Sequence, residues 1–316
     1  MILVTGGSGM VGQNILNHSL AKSWKIISPS SQELNLTNSL DCEKYIRNEM
    51  PDLIVHSAGK VGGIKANISE PVEFLDKNLM IGRNVIMGAR SVGVKNLINL
   101  ASTCIYPRMA QNPLSEDQIL KGELEPTNEG YAIAKILSTR LCEYIRREDP
   151  KYQYKTLIPC NLYGLYDKFD PDRSHLVPAI IHKIHQAKIA NHPTVQIWGD
   201  GNARREFMYS ADLADAIFCA AKNLDSLPNN MNIGVGNDYS INDYYKTIAD
   251  VLNWDGKFTH DLSKPVGMIK KLSNTSLQSK WGWKPETSLK TGLKETYKYY
   301  LETLKKSLLK LKNLYQ

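Results

Sequence analysis

No apolar run in this chain approaches the roughly eighteen residues that a helix needs to cross a bilayer, so no membrane span is expected. The first residues, MILVTGGSGMVG, lack the basic start and small-residue cleavage site of a secretory signal, and a cytoplasmic location is expected. No long Gly, Pro or Ser tract suggests a disordered segment. The seven histidines show neither HxxxH nor HExxH spacing, so no metal site is expected. Cys42, Cys104, Cys142, Cys160 and Cys219 form no CxxC pair, and read as reduced, mostly buried thiols. A net charge of +7 raises the question of nucleic acid. Much of that excess lies in the last residues, where Lys305, Lys306, Lys310 and Lys312 alternate with Leu304, Leu308, Leu309 and Leu311. This is the pattern of a basic amphipathic helix laying its leucines on the body. No nucleic-acid partner is expected, and an acidic, phosphate-bearing substrate fits the balance.

What the chain does have is alternation. Met1–Thr5, Lys25–Ser28, Leu53–His56, Leu97–Ala101 and Thr156–Pro159 are short apolar runs with strand character. Helical spacing occupies Val11–Leu20, Ser39–Glu49, Val72–Val92 and Tyr131–Arg147 between them. Strands alternating with helices imply right-handed crossovers and an α/β fold with a doubly wound parallel sheet, its ligands at the C-terminal strand ends. The first turn, GGSGMVG, spaces Gly6, Gly9 and Gly12 as GxxGxxG between a strand and an apolar helix. A tight turn, backbone approach to a pyrophosphate and helix-to-sheet packing each need a glycine there, with the phosphates at the helix N-terminus. Met10 and Val11 on that turn, Ser30 and Leu36 beyond the second strand, and Ala58 and Gly59 beyond the third complete the candidate dinucleotide contacts.

At the second strand end, where an NAD site places an acid on the ribose, SPSSQELN offers Ser28, Ser30 and Ser31, with Glu33 further on. NADPH/NADP+ is therefore expected ahead of NADH. Tyr131 and Lys135 form YAIAK, one helical turn apart on one face. A lysine so placed favours tyrosinate and lowers the tyrosine pKa, letting Tyr131 exchange a proton with a carbonyl or alcohol oxygen. Ser102, at the end of an apolar strand, can hold the same oxygen.

The stretches GMVG, KVGGIKAN, STCIYP, LEPTNEGYAIAK, NLYG, SHLVPAIIHKIH and WGDGNARREF occur here in order. With them the chain resembles the extended short-chain dehydrogenase/reductase family, and within it the GDP-L-fucose synthase group. The resemblance implies that Ser102, Tyr131 and Lys135 are the reductase triad. It also implies that Cys104 and His175 are base and acid in epimerisation at carbons 3 and 5. Asn161 and Leu162 would lie by the nicotinamide, with His175 also near the cofactor. Asn161, Lys183, Trp198, Arg205 and Lys270 would contact a GDP-linked 4-keto sugar. A homodimer would pair the helices near Phe74–Val92 and Tyr131–Glu148.

Departures from the group's pattern fall beside the sugar: Leu165 replaces a proline, Lys168 an asparagine, and His182 stands where arginine is frequent. A second reading is thus a reductase-only relative acting on a GDP-4-keto-6-deoxy-heptose for a surface polysaccharide. A redox-inert NADP-binding regulator is disfavoured because the tyrosine and lysine are both present. The expected domains are a dinucleotide domain over 1–162, with 196–234 returning to it, and a smaller α/β substrate domain over 163–195 and 235–300. Residues 301–316 form the basic helical tail.

Overall fold

The computed structural model describes residues 1–170, 174–264 and 267–314. In chain order, its first half runs β1 (Ile2–Thr5), α1 (Met10–Asn17), β2 (Ile26–Ile27), α2 (Ser39–Glu49), β3 (Leu53–His56), α3 (Ile64–Ser69), α4 (Pro71–Val92), β4 (Asn96–Leu100), α5 (Glu129–Glu148) and β5 (Gln153–Pro159). It continues with β6 (Asn161–Tyr163), α6 (Leu176–Ile189), β7 (Thr194–Trp198), β8 (Arg204–Arg205), β9 (Phe207–Tyr209), α7 (Ser210–Lys222), β10 (Asn230–Ile233), β11 (Tyr239–Ser240), α8 (Ile241–Leu252), β12 (Lys257–Asp261), β13 (Lys270–Lys271), α9 (Ser276–Trp281) and α10 (Leu289–Leu314).

The large sheet has the order β10-β5-β4-β3-β1-β2, and every pair is parallel. Side chains on a strand alternate between faces, and the apolar runs use both. Ile2, Val4, Leu53, Val55, Ile98 and Leu100 pack with Ile15 of α1 and Leu213 and Ile217 of α7. Leu3, Ile54 and Leu97 pack on the other face with Ile46, Val85, Ile86 and Ile145 from α2, α4 and α5. Burial on both faces is why these strands read as continuous hydrophobic segments. Helix α4 ends at Gly93, whose φ of +89° lets Val94 N–H reach back to the Ala89 carbonyl. The order reverses on either side of β1, so the crevice for a ligand opens at the ends of β1 and β3.

A second core is built around α6 and α8. Val177, Ile180, Ile181 and Ile184 recur at helical spacing along α6 and are fully buried against Tyr244, Ile248 and Leu252 of α8 and Tyr300 of α10. Ser240 and Asp243 form a capping box that starts α8. Strand β7 pairs with β12 rather than with the large sheet, and on β9 Phe207 still packs in the second core while Met208 packs in the first. Alternating burial of Val195 and Ile197 faces β7 toward the second core instead. The terminal helix is continuous from Leu289, with Leu301 and Leu304 laid against that same core.

Candidate active site

The glycine turn is built as the spacing requires. Gly6 has φ +79°, and a Cβ there would lie 2.7 Å from the Ala58 backbone. A Cβ on Gly12 would lie 2.3 Å from the Gly6 carbonyl oxygen, so helix and strand meet with no room for a side chain. No side chain caps the first turn of α1, so the N–H groups of Met10, Val11 and Gly12 remain for phosphate oxygens. Ala58 is buried beside Gly6, and Gly59 stands next to Asn78 and the Lys135 ammonium. Leu36 is half-buried in the core beneath, and its carbonyl accepts from Asn84. This cradle fits a dinucleotide: the pyrophosphate end is a bare helix terminus, and Gly59, one residue past Ala58, lies beside the Lys135 ammonium.

Four of the expected catalytic residues converge at the ends of β4 and α5. Ser102 Oγ accepts a hydrogen bond from Cys104 N–H at 3.4 Å and also bonds to the Cys104 sulfur. Lys135 Nζ donates to the Leu100 carbonyl at 2.8 Å and lies 5.8 Å from the centre of the Tyr131 ring. Burial lowers the Lys135 pKa to about 8, against the opposing pull of Cys104. The Tyr131 phenol departs from the sequence expectation. Burial raises its pKa, with the Cys104 sulfur adding to the rise, and Lys135 is not among the groups that shift it. With its ammonium engaged at Leu100, Lys135 does not make a tyrosinate here; the resting phenol keeps its proton.

Cys104 is itself a thiol at rest. Burial raises its pKa, while Lys271, the Ser102 hydrogen bond and Lys135 pull it down. Lys271 is a site residue that the sequence reading missed in favour of its neighbour Lys270. Strand β13 runs parallel to β8, with Lys271 opposite Arg205 and Lys270 opposite Arg204. Residues in register share a face, which separates the two lysines. Lys270 and Arg204 both ion-pair with the buried Asp238, at 3.4 and 2.7 Å. Lys271 and Arg205 face the other way, into the pocket of Cys104, Cys160 and Glu125. The Arg205 charge adds to the desolvation that lowers the Lys271 pKa, and Glu125 opposes desolvation on both residues. Asn128 is a second residue the sequence reading passed over: its side-chain oxygen is buried without a hydrogen-bond partner one turn before Tyr131.

Glu206 fixes the strand that carries Lys271. Its buried carboxylate accepts from Gly236 N–H at 2.7 Å and Ser273 N–H at 2.8 Å. The Asn161 amide donates to the Glu206 carbonyl at 2.9 Å, so β6 is tied to the same point, with Leu162 following on β6. The remaining expected residues form a separate group on the second layer. His175 heads α6, and desolvation holds its imidazole pKa below the ordinary value, so the resting ring is neutral. About two turns on, Lys183 lies 5.4 Å from the Trp198 ring centre and donates to the Gln196 carbonyl at 3.4 Å. Lys264 approaches the same indole at 5.8 Å.

A parallel, doubly wound sheet with a glycine turn at its switch point and a half-buried serine and tyrosine beside a buried lysine at the adjoining strand end defines a dinucleotide-dependent enzyme of the short-chain dehydrogenase/reductase type. Residues 2–234 match the NAD dependent epimerase/dehydratase family, and the chain belongs to it. It is 51% identical to a GDP-L-colitose synthase of Yersinia pseudotuberculosis, over 95% of this chain and 97% of that one. It is 49% identical to a GDP-L-fucose synthase of Azorhizobium caulinodans, over 95% and 96%. Among solved structures, a GDP-mannoheptose C4 reductase from Campylobacter jejuni with NADP bound superposes with a TM-score of 0.86 at 30% identity, over 95% and 98%. Among the described residues no helix is long and apolar enough to cross a membrane.

Proposed function

We propose that this enzyme is an NADPH-dependent C4 reductase, and a C3/C5 epimerase, of a GDP-linked 4-keto-6-deoxy sugar. The observation that carries the reading is the packing of Ser102, Cys104, Tyr131 and Lys135 into one pocket with Lys271 and Arg205 in register above it. When bound, the nicotinamide supplies hydride to the C4 carbon. Tyr131, protonated at rest, donates its proton to the C4 oxygen, and Ser102 donates a hydrogen bond to the same oxygen. Before reduction, the protons on C3 and C5 are acidic because the charge left by their removal moves onto that oxygen, where the same two donors stabilise it. Cys104 takes the proton from one face, and His175, neutral at rest, must first take up a proton before it returns one to the other. Since the thiol is protonated at rest, Lys271 and the Ser102 hydrogen bond serve to make it a base. Arg205 and Lys183 supply cations for the diphosphate.

The five cysteines are all unpaired, which fits a reducing cytoplasm. The outer face of α5 presents Ile133 and Tyr144, both more than one-third exposed, and it packs along α4. We assign this two-helix face to a homodimer contact. The heptose alternative is favoured by the structural likeness to the Campylobacter reductase and by the substitutions at Leu165, Lys168 and His182.

Incubation with GDP-4-keto-6-deoxy-mannose and NADPH in D2O separates these readings. Oxidation of NADPH with deuterium at C3 and C5 of the product supports the bifunctional enzyme. Oxidation without deuterium leaves a C4 reductase and removes Cys104 and His175 from the mechanism. Turnover only on the heptose substrate selects the alternative.

A further inference from the structure

The strand that turns Lys271 toward Cys104 is two residues long, and β8 pairs with one edge of it. On that edge Arg204 N–H donates to the Ile269 carbonyl at 2.8 Å, and Glu206 N–H donates to the Lys271 carbonyl at 3.2 Å. In a parallel ladder the Lys270 carbonyl and the Leu272 N–H then point away from β8. A side chain that tunes the charge of a neighbour has to be held in place by its supporting backbone. So short a strand needs a partner on its second edge to do this.

One side chain closes that edge. Asn112 Oδ1 accepts the Leu272 N–H at 2.9 Å, and Asn112 Nδ2 donates to the Lys270 carbonyl at 3.3 Å and to the Ala110 carbonyl at 3.4 Å. The amide supplies the donor and the acceptor that a neighbouring strand would present, on the two peptide groups that flank Lys271. Two residues on, backbone takes over: Leu114 N–H donates to the Leu272 carbonyl, and Asn274 N–H to the Leu114 carbonyl, each at 2.7 Å. Leu114 is fully buried, and its carbonyl also accepts from the Asn232 amide of β10 at 2.9 Å. Tyr106 O–H donates to Asn232 Oδ1 at 2.6 Å. The segment from Cys104 to Leu114 is thereby pinned to the large sheet, and the loop that begins at the thiol grips the strand of its cation.

We infer that Asn112 is a positioning residue for the Cys104–Lys271 pair: by holding the peptides on both sides of Lys271, it keeps that lysine directed at the thiol. The inference rests on the reading of Cys104 as the epimerisation base. Ser102, Tyr131 and Lys135 also face the thiol, and Arg205, Glu125 and Cys160 face Lys271. The bonds of Asn112 run to Lys270, Leu272 and Ala110, so its effect on the thiol passes through the strand of Lys271.

The test follows deuterium exchange from D2O into GDP-4-keto-6-deoxy-mannose as a function of pH, with NADP+ in place of NADPH so that no hydride is transferred. Exchange in the wild type is expected to rise with pH as the thiolate forms. Asn112→Ala should move that rise upward by about one pH unit, in the direction of Lys271→Met. Asn112→Gln, which keeps donor and acceptor on a longer arm, should move it less, and it remains informative if the alanine variant does not fold. In the K271M background either substitution should add no further shift, because the cation through which Asn112 acts is gone. Profiles of N112A and N112Q that coincide with the wild type, beside a displaced K271M profile, overturn the inference and leave the epimerase reading standing. Equal shifts with and without Lys271 overturn it as well, since they mark a structural role alone. A wild type that reduces the sugar but exchanges no deuterium at any pH removes the epimerase reading and the inference with it.

Discussion

Lys271 and Arg205 stand directly opposite one another on two parallel strands, and both turn toward the pocket that holds Cys104. Sixty-six positions separate them in the chain, yet their register decides which of two adjacent lysines faces Cys104.

Lys271→Met should slow deuterium incorporation at C3 and C5 far more than it slows NADPH oxidation on a pre-epimerised substrate. Burial already raises the Cys104 thiol pKa and Lys271 lowers it, so removing the cation moves the thiol higher still. Exchange in the wild type should therefore rise with pH as the thiolate forms, and in K271M the rise should begin at higher pH. Lys270→Met, which disturbs the Asp238 pair on the opposite face, should leave the exchange profile in place.

Tyr131→Phe removes the proton donor without removing the ring that walls the pocket. NADPH oxidation should fall by roughly a hundredfold or more, the usual scale of a positioned general acid. Cofactor affinity, measured by fluorescence, should hold, because Lys135 keeps its bond to the Leu100 carbonyl.

Glu206→Ala leaves the Gly236 and Ser273 N–H groups without the acceptor they share. Hydrogen bonds to a charged acceptor each contribute about 1.5–3 kcal/mol, so a clear fall in Tm is expected by calorimetry. Cofactor binding at the glycine turn should persist while turnover drops, since the loosened segment carries Lys271. An unaltered kcat would show that the strand does not need this anchor.

Asp167 gives the stability a pH slope. Burial raises its carboxyl pKa to about 7, and one of its oxygens has no hydrogen-bond partner. The native protein thus retains a proton that the unfolded chain releases above about pH 4. Stability should fall as pH rises from about 4 to about 7. Thermal melts across that window should show the decline in the wild type and a flatter profile in Asp167→Asn.

Ile133 and Tyr144 lie about three helical turns apart on α5 and are exposed on the same side, at 40% and 47%. Ile133→Glu should shift the mass measured by light scattering from dimer to monomer. A wild type that is already monomeric would remove the dimer assignment.

The large sheet was legible because both of its faces are buried. Strands such as ILVT and LIVH have no polar face to blur the pattern, and the glycine turn and YAIAK sit at the strand and helix ends where their chemistry requires them. The helix after the turn was read too long: it stops at Asn17 because His18 turns extended and its ring accepts the Leu20 N–H. The second layer was legible only as a region. Strands β8, β11 and β13 are two residues each, too short for any period to show, and their pairing joins segments far apart in sequence. Lys270 and Lys271 are chemically identical neighbours, and only the register with Arg204 and Arg205 assigns their faces. The tyrosine pKa failed for a related reason. One helical turn brings Lys135 near Tyr131, but the sequence does not disclose that the ammonium is bound to a carbonyl of β4.

The three-stranded β11-β8-β13 sheet also bears on how the enzyme comes into being on the ribosome. The glycine turn, Ser102, Tyr131, Lys135 and five of the six large-sheet strands have all been synthesised by Pro159. The strand that brings Lys271 to Cys104 arrives more than a hundred residues later. Domains fold as units, the N-terminal one first. The first core closes only when α7 and β10 have followed, and the Lys271–Arg205 pair forms later still, when β13 meets β8.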